Sequence, residues 1–256
     1  MDILIENKRL MRFKNKVGII TGSSRGIGKA TAIKLASEGY DLVLCGRNAE
    51  VLSSLKSELS SLCQVFTLTF DVRNQVAVEA AIESLDDDWR NIDVLVNNAS
   101  SFYPTPVGDI TEEHWTSLVG SNVKGPLFLS QALTPALKKS KGCIVNMVDM
   151  HIDRPLPKHS VYLLAKSGLA SLTQSLAIDL APNIRVNGIG PGAILWPERE
   201  MEDAEKDTLL SSIPLGELGT PDDIANTLWF LISAPYITGQ IIFVDGGRSL
   251  HTGASA

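Results

Sequence analysis

Tyr162 and Lys166, four residues apart in Tyr-Leu-Leu-Ala-Lys, are the residues of this 256-residue chain best spaced for proton chemistry. On a helix that spacing puts both side chains on one face. A nearby ammonium favours the phenolate of a tyrosine whose ordinary pKa is about 10. The pair therefore predicts a Tyr162 pKa lowered by Lys166, and a hydroxyl able to give and take a proton near neutral pH. Asp149 stands thirteen residues before the tyrosine, just past the apolar run from Cys143 to Val148. Tyr-x-x-x-Lys alone is common on helix surfaces, so its weight depends on what surrounds it.

A second constellation lies near the amino terminus. An apolar strand, Lys16 to Thr21, runs into Gly22-Ser-Ser-Arg-Gly-Ile-Gly28 and then into a helical pattern ending at Gly39. A glycine turn between strand and helix lets the backbone approach a pyrophosphate, and the helix start presents free N–H groups to it. Gly22, Ser24, Arg25, Gly26, Ile27 and Gly28 are the candidate contacts. The next strand, Asp41 to Cys45, is followed by Gly46-Arg47-Asn48, where a dinucleotide's adenosine ribose would arrive. An acidic residue there would hold a free 2′-hydroxyl. Arg47, with Arg25 nearby, suits a 2′-phosphate instead, so NADPH is expected over NADH.

These residues need a frame that brings them together. Strands at 65–70, 92–96, 143–148, 184–189 and 241–244 alternate with helical stretches at 49–62, 74–88, 111–119, 123–138, 160–180 and 221–233. Such alternation predicts an α/β fold, a Rossmann-like doubly wound parallel sheet of seven strands with helices on both faces. A single domain, 16–256, would follow an amino-terminal extension, 1–15. In such sheets ligands gather at the carboxyl ends of strands, which adds Asp71, Val72, Asn98, Ala99, Ser100, Pro191, Gly192 and Ile194 to the candidate cofactor contacts. Leu169, Leu172, Leu176 and Leu180 are expected to form the core stripe of the 160–180 helix, leaving Tyr162 and Lys166 to face a cleft. The acidic segment 196–207 reads as a lid.

Composition sets limits. Hydrophobic residues make up 44% and charged residues 20%, as in a globular protein. A net charge of −6 provides no overall basic field for nucleic acid or anionic membrane. Cys45, Cys63 and Cys143 have no metal-ligand spacing, and an odd number in apolar runs suits a reducing compartment. With no apolar signal-peptide core in the first residues and no membrane-length run, a cytoplasmic location is expected.

Taken together, Thr21-Gly-x-x-x-Gly-Ile-Gly28, Asn97-Asn-Ala-Ser100, Asn122, Tyr162-x-x-x-Lys166, Pro191-Gly192 and Asp245-Gly-Gly247 resemble a short-chain dehydrogenase/reductase. The resemblance runs from about Lys16 to Leu250. It implies a homotetramer, a Lys166 that also binds the nicotinamide ribose, and an Asn122 that supports Lys166 through a bound water. The family's usual serine is replaced here by Asp149. Asn146-Met-Val-Asp149 and Ser100-Ser-Phe-Tyr-Pro-Thr-Pro106 are similar to the pteridine reductases of that superfamily. In those enzymes Asp, Tyr and Lys form the catalytic set and the equivalent of Phe102 stacks on the pterin. Ser101, Phe102, Asp149, Tyr162 and Trp196 are the expected substrate contacts. One departure is Gly26, where such enzymes often carry an arginine.

The expected reaction is NADPH-dependent reduction of a dihydropterin to a tetrahydropterin, with dihydrofolate a further candidate substrate. Reduction of a carbonyl or 3-oxoacyl thioester is the alternative, and an anion at Asp149 beside a developing alkoxide argues against it. A non-catalytic NADP(H)-binding regulator is a second alternative, and it would have no need of Tyr162, Lys166 and Asn122.

Overall fold

The computed structural model describes residues 16–196 and 201–250. The proposed extension 1–15 lies outside them, as do residues 197–200 of the expected lid. Seven parallel strands form one sheet in the order β3-β2-β1-β4-β5-β6-β7. They are β1 (Lys16–Thr21), β2 (Tyr40–Gly46), β3 (Val65–Thr69), β4 (Ile92–Asn97), β5 (Cys143–Met147), β6 (Arg185–Pro191) and β7 (Ile241–Val244). Between them run α1 (Gly26–Ser37), α2 (Ala49–Leu59), α3 (Gln75–Glu83), α4 (Glu112–Val119), α5 (Gly125–Ser140), α6 (Ser160–Asp179), α7 (Asp203–Ser211) and α8 (Pro221–Ser233).

The strands are apolar on both sides because both sides are covered. Ile20, Leu44, Val94, Val96, Val145 and Ile189 point into one core with Leu35 of α1, Leu52 of α2 and Leu228 of α8. Their neighbours Ile19, Val43, Leu95, Ile144 and Val186 point into the other, with Val78 of α3, Leu133 of α5 and Ala177 of α6. Period-two alternation thus splits each strand between two cores. Strand order reverses between β1 and β4, so the loops after those two strands diverge and leave a crevice at their carboxyl ends.

Several helices differ from the sequence expectation. The 74–88 stretch is α3 followed by a separate 3-10 turn, Asp87–Trp89, because Asp86-Asp-Asp88 favours a turn over helix continuation. The expected helix start at 123 is instead a π-helical segment, Gly120–Lys124, joining α4 to α5. On α6 the buried positions are Val161, Tyr162, Ala165, Lys166, Leu169, Thr173 and Ala177. The expected leucine stripe is corrected on this point: Leu172 is half-buried, and Leu176 and Leu180 only flank the core. Small residues let α6 lie close to the sheet, and the face they form carries Tyr162 and Lys166 inward. The expected lid takes in only the first part of α7, a helix that buries no residue of its own.

Candidate active site

The glycine turn is held open from behind. Thr21, the last residue of β1, accepts hydrogen bonds on Oγ1 from the backbone N–H groups of Asn98 and Ala99, both at 3.0 Å. Asn98 returns its carboxamide to the carbonyls of Thr21 and Gly22, at 2.9 and 3.0 Å. The loops after β1 and β4 are therefore locked to each other. Asn98 acts as a brace for the turn, and Thr21, in the sequence only the first residue of the glycine motif, is the anchor it grips. Gly22 and Gly26 have φ of 62° and 53°, a region that costs a residue with a Cβ roughly 1–2 kcal/mol.

The start of α1 is built to receive an anion. Its N-cap residue Arg25 makes no side-chain capping bond, and its first turn holds no acidic residue. The orphan N–H groups of that turn face the crevice end of the sheet, where a pyrophosphate would satisfy them. Ile27 packs its side chain against the core, so any contact from it is through its backbone. A Cβ on Gly28 would lie 2.6 Å from Asn98 Nδ2 and collide with the Gly22 carbonyl. Gly28→Ala should therefore destabilise the fold by about 1–3 kcal/mol and weaken dinucleotide binding at least about tenfold, as read by thermal melts and a nucleotide titration. Unchanged values in both would remove the close approach as the reason for the glycine.

The positions expected at the adenosine end take several roles. Arg47 and Asn48 are exposed after β2. Asn48 caps α2, its carboxamide oxygen accepting from the N–H groups of Glu50 and Val51 at 3.0 and 3.1 Å. Asp71 is committed to Arg73, whose Nη2 and Nε donate to it at 2.6 and 3.0 Å. The bond to Arg73 chiefly lowers the Asp71 pKa, and the charge of Arg47 contributes in the same direction. Val72 packs at the edge of the core, and its carbonyl would lie 2.8 Å from a Cβ on Gly125. At the end of β6, Gly192 donates to the Val244 carbonyl at 2.9 Å after the half-buried Pro191. Ile194 is buried in the core against Gly219, which leaves only its backbone for a ligand. Leu195 and Trp196 are exposed, and the Leu195 side chain would lie 3.5 Å from a Cβ on Gly26, over the glycine turn.

The proton-handling residues meet at the carboxyl end of β5. Asp149 caps a 3-10 turn, Met150–Ile152, with Oδ1 accepting from the His151 N–H at 2.8 Å. That pins the carboxylate so that its other oxygen, Oδ2, accepts from the Tyr162 hydroxyl at 2.5 Å. Asn122 lies fully buried in the π-helical segment, donating to the Ser101 and Leu118 carbonyls at 2.9 Å each. Its Oδ1 accepts from Ser100 Oγ at 2.7 Å. Asn122 thus fixes the loop that presents Phe102. A buried polar chain sequence reasoning did not foresee lies beneath: Asn97 donates to Ser130 and Asn146, and Asn146 to Thr173. It ties the ends of β4 and β5 to α5 and α6, and amides inside apolar strands are its only sequence trace.

The electrostatics correct the expected role of Lys166. Burial first, then the charge and hydrogen bond of Asp149, raise the Tyr162 pKa well above its ordinary value of 10.0. Lys166 does not offset this. Its ammonium donates to the Met147 carbonyl at 2.7 Å and lies 5.8 Å from the tyrosine ring centre. The phenol is therefore held protonated, ready to donate. Burial lowers the Lys166 pKa from 10.5 to about 8, with Asp149 opposing that fall. Between those values the unfolded chain holds a proton that the folded chain resists. The destabilisation grows as pH falls through that window and is complete below about 8, amounting to about 3 kcal/mol. Lys166→Met removes it at the loss of one hydrogen bond of about 1 kcal/mol. Its Tm without nucleotide should rise by about 2–6 °C at pH 7, with the gain shrinking by pH 9.5. A lowered Tm at pH 7 would refute this account.

Phe102 is 56% exposed at the cleft mouth. Its ring stacks on His159 at 4.8 Å and meets the Tyr162 ring edge-on at 4.9 Å. His159 is a further site residue that sequence reasoning missed. Among the described residues no group of three or more His, Cys, Asp or Glu is placed to hold a metal, and no helix is long and apolar enough to cross a membrane.

A doubly wound parallel sheet with a glycine turn at its switch point, and a tyrosine and lysine beyond β5, define a nucleotide-dependent oxidoreductase. The family described as enoyl-(acyl carrier protein) reductase matches residues 22–249. The 3-oxoacyl-[acyl-carrier-protein] reductase FabG of Thermotoga maritima is 35% identical over 243 residues, 93% of this chain and 99% of its own. A short chain dehydrogenase from Bacillus anthracis superposes with a TM-score of 0.83 at 35% identity, covering 94% of this chain and 100% of its own. A blue fluorescent protein from a metagenomic library, solved in complex with NADPH, gives 0.85 at 29% identity over 92% of this chain and 98% of its own. The chain belongs to the short-chain dehydrogenase/reductase superfamily of NAD(P)-dependent oxidoreductases.

Proposed function

We propose that this protein uses NADPH to reduce the C=N bond of a dihydropterin. The observation that carries the reading is the carboxylate of Asp149, held by its own loop and in hydrogen-bond contact with the Tyr162 hydroxyl. Beside a developing alkoxide that anion would be repulsive. Reduction of a C=N bond develops no alkoxide, because the ring nitrogen takes up a proton as the carbon takes up hydride. A ring rich in N–H and NH2 donors also supplies the hydrogen bonds a carboxylate accepts. Phe102, exposed and held against Tyr162, offers a face to a flat bicyclic ring.

When bound, the reduced dinucleotide supplies the hydride. Asp149 orients the ring through its N–H donors, and Tyr162 delivers its proton to the adjacent ring nitrogen. Lys166 lies beneath, its ammonium on the Met147 carbonyl. Its role toward the nicotinamide ribose belongs to the same proposal. The uncapped start of α1 accommodates the pyrophosphate, and Arg25 and Arg47, with no acidic residue closing β2, favour the 2′-phosphate. Assembly as a homotetramer is also part of the proposal; exposed Phe230 and Tyr236, flanking the approach to β7, suit burial between copies.

The Thermotoga relative favours a second reading, reduction of a 3-oxoacyl thioester. The family description names a different bond, that of an enoyl thioester, so likeness alone leaves the substrate open. A substrate panel decides: NADPH oxidation by purified protein with dihydrobiopterin, dihydrofolate and acetoacetyl-N-acetylcysteamine. Turnover of a pterin with little of the thioester is expected. Turnover of the thioester alone would overturn the reading.

A further inference from the structure

Two arginines that the mechanism does not use stand beside Asp149. Arg154 ends the loop that Asp149 begins, and its carbonyl is fixed by the His151 ring at 2.8 Å. Its Nη1 donates to the Arg248 carbonyl, also at 2.8 Å. Arg248 lies in the carboxy-terminal 3-10 turn, Arg248–Leu250, and its Nε donates to Ser212 Oγ at 3.1 Å, at the end of α7. Both arginines are half-buried.

Their surroundings do not neutralise them. Among the described residues neither guanidinium forms a salt bridge, and the Nη groups of Arg248 have no partner. The two carboxylates whose charges act on Arg248 are engaged elsewhere. Asp245 accepts from the N–H groups of Gly247 and Ser249 at 2.9 and 2.6 Å, and Asp149 from His151 and Tyr162. Burial chiefly, then the charge of Arg154, lowers the Arg248 pKa, while Asp149 and Asp245 act the other way. Two half-buried guanidiniums repelling each other with donors to spare form an incomplete arrangement, and an anion arriving between them would complete it.

We propose that Arg154 and Arg248 form an anion subsite of the substrate cleft, gripping a carboxylate or phosphate on the tail of a ring held at Tyr162 and Asp149. This rests on the pterin reading and sharpens it to pterins with an acidic side chain. The three elements involved are the loop after β5, the end of α7 and the carboxy-terminal turn. Neither arginine is among the residues proposed for the dinucleotide's phosphates.

The test compares dihydrofolate, dihydroneopterin 3′-monophosphate and the uncharged-tail dihydrobiopterin on wild type, Arg154→Gln, Arg248→Gln and Arg248→Lys. The wild type should show a KM about tenfold lower for at least one acidic substrate than for dihydrobiopterin. Each Gln variant should raise that KM by about tenfold while leaving kcat, and both constants for dihydrobiopterin, within about twofold. Arg248→Lys should recover part of the loss. Which acidic substrate responds tells a carboxylate from a phosphate. Equal losses on all three substrates would show the arginines only tie α7 to the catalytic loop, and would overturn the proposal. So would turnover of dihydrobiopterin with no preference for acidic tails, which leaves the pterin reading intact. No turnover of any pterin would remove the pterin reading itself, and the wild-type panel alone distinguishes that failure.

Discussion

Replacing Tyr162 by Phe should lower kcat by about 10²–10⁴-fold, the range ordinarily lost with a positioned proton donor, while dinucleotide affinity stays within about twofold. The ring itself should remain in place. It packs with Leu118 and Val161 and against the edge of Phe102, and none of those contacts needs the hydroxyl. What disappears is the proton that burial and Asp149 keep on the phenol, together with one hydrogen bond to a half-buried carboxylate. Steady-state kinetics with the best pterin of the panel, paired with a nucleotide titration, separate the two effects. A kcat within tenfold of wild type would show that another group supplies the proton.

Asp149→Ser should exchange one chemistry for another. Serine can keep the cap on the Met150–Ile152 turn, since its hydroxyl can also accept from the His151 N–H. The loop should therefore survive and only the charge change. Without the carboxylate the anion of a developing alkoxide is tolerated, so acetoacetyl thioester reduction should rise by at least about tenfold. Pterin turnover should fall by about 10²-fold, its ring having lost an acceptor for its N–H groups. The pH profile should move as well. Asp149 disfavours the Tyr162 phenolate, so removing it lowers the tyrosine pKa. The proton-donating form would then be lost at lower pH, and the alkaline limb of kcat should shift downward. An alkaline limb that stays put or moves upward would break the link between the carboxylate and the phenol. A variant that loses pterin activity without gaining thioester activity would argue that Asp149 selects against neither substrate by charge.

Much of the site could be read from local pattern. The glycine turn follows from strand, small residues and helix in immediate succession, and Gly28 is where the close backbone contact falls. Asp149 and Tyr162 were identified by type and spacing, and they do meet. Less legible were residues whose role is to hold others. Thr21, Asn97 and Asn146 stand in motifs with no visible task, and Thr173 stands in none. Their partners lie on other elements, as with the 77-residue separation between Thr21 and Asn98. His159 became visible only once Phe102 had a neighbour to stack on. Arg154 and Arg248, 94 residues apart, have no shared pattern at all.

Sequence by itself determined the alternation of strands and helices, because buried parallel strands and amphipathic helices leave periodic traces of local origin. It also determined which residue types stand at the carboxyl ends of the strands. Only the tertiary structure decided the protonation logic. Spacing along a helix placed Lys166 beside Tyr162 and predicted a lowered tyrosine pKa. Packing instead buried both, turned the ammonium to the Met147 carbonyl and set Asp149 against the hydroxyl. A pKa depends on desolvation and on charges brought near in space, and neither quantity exists until the chain has folded.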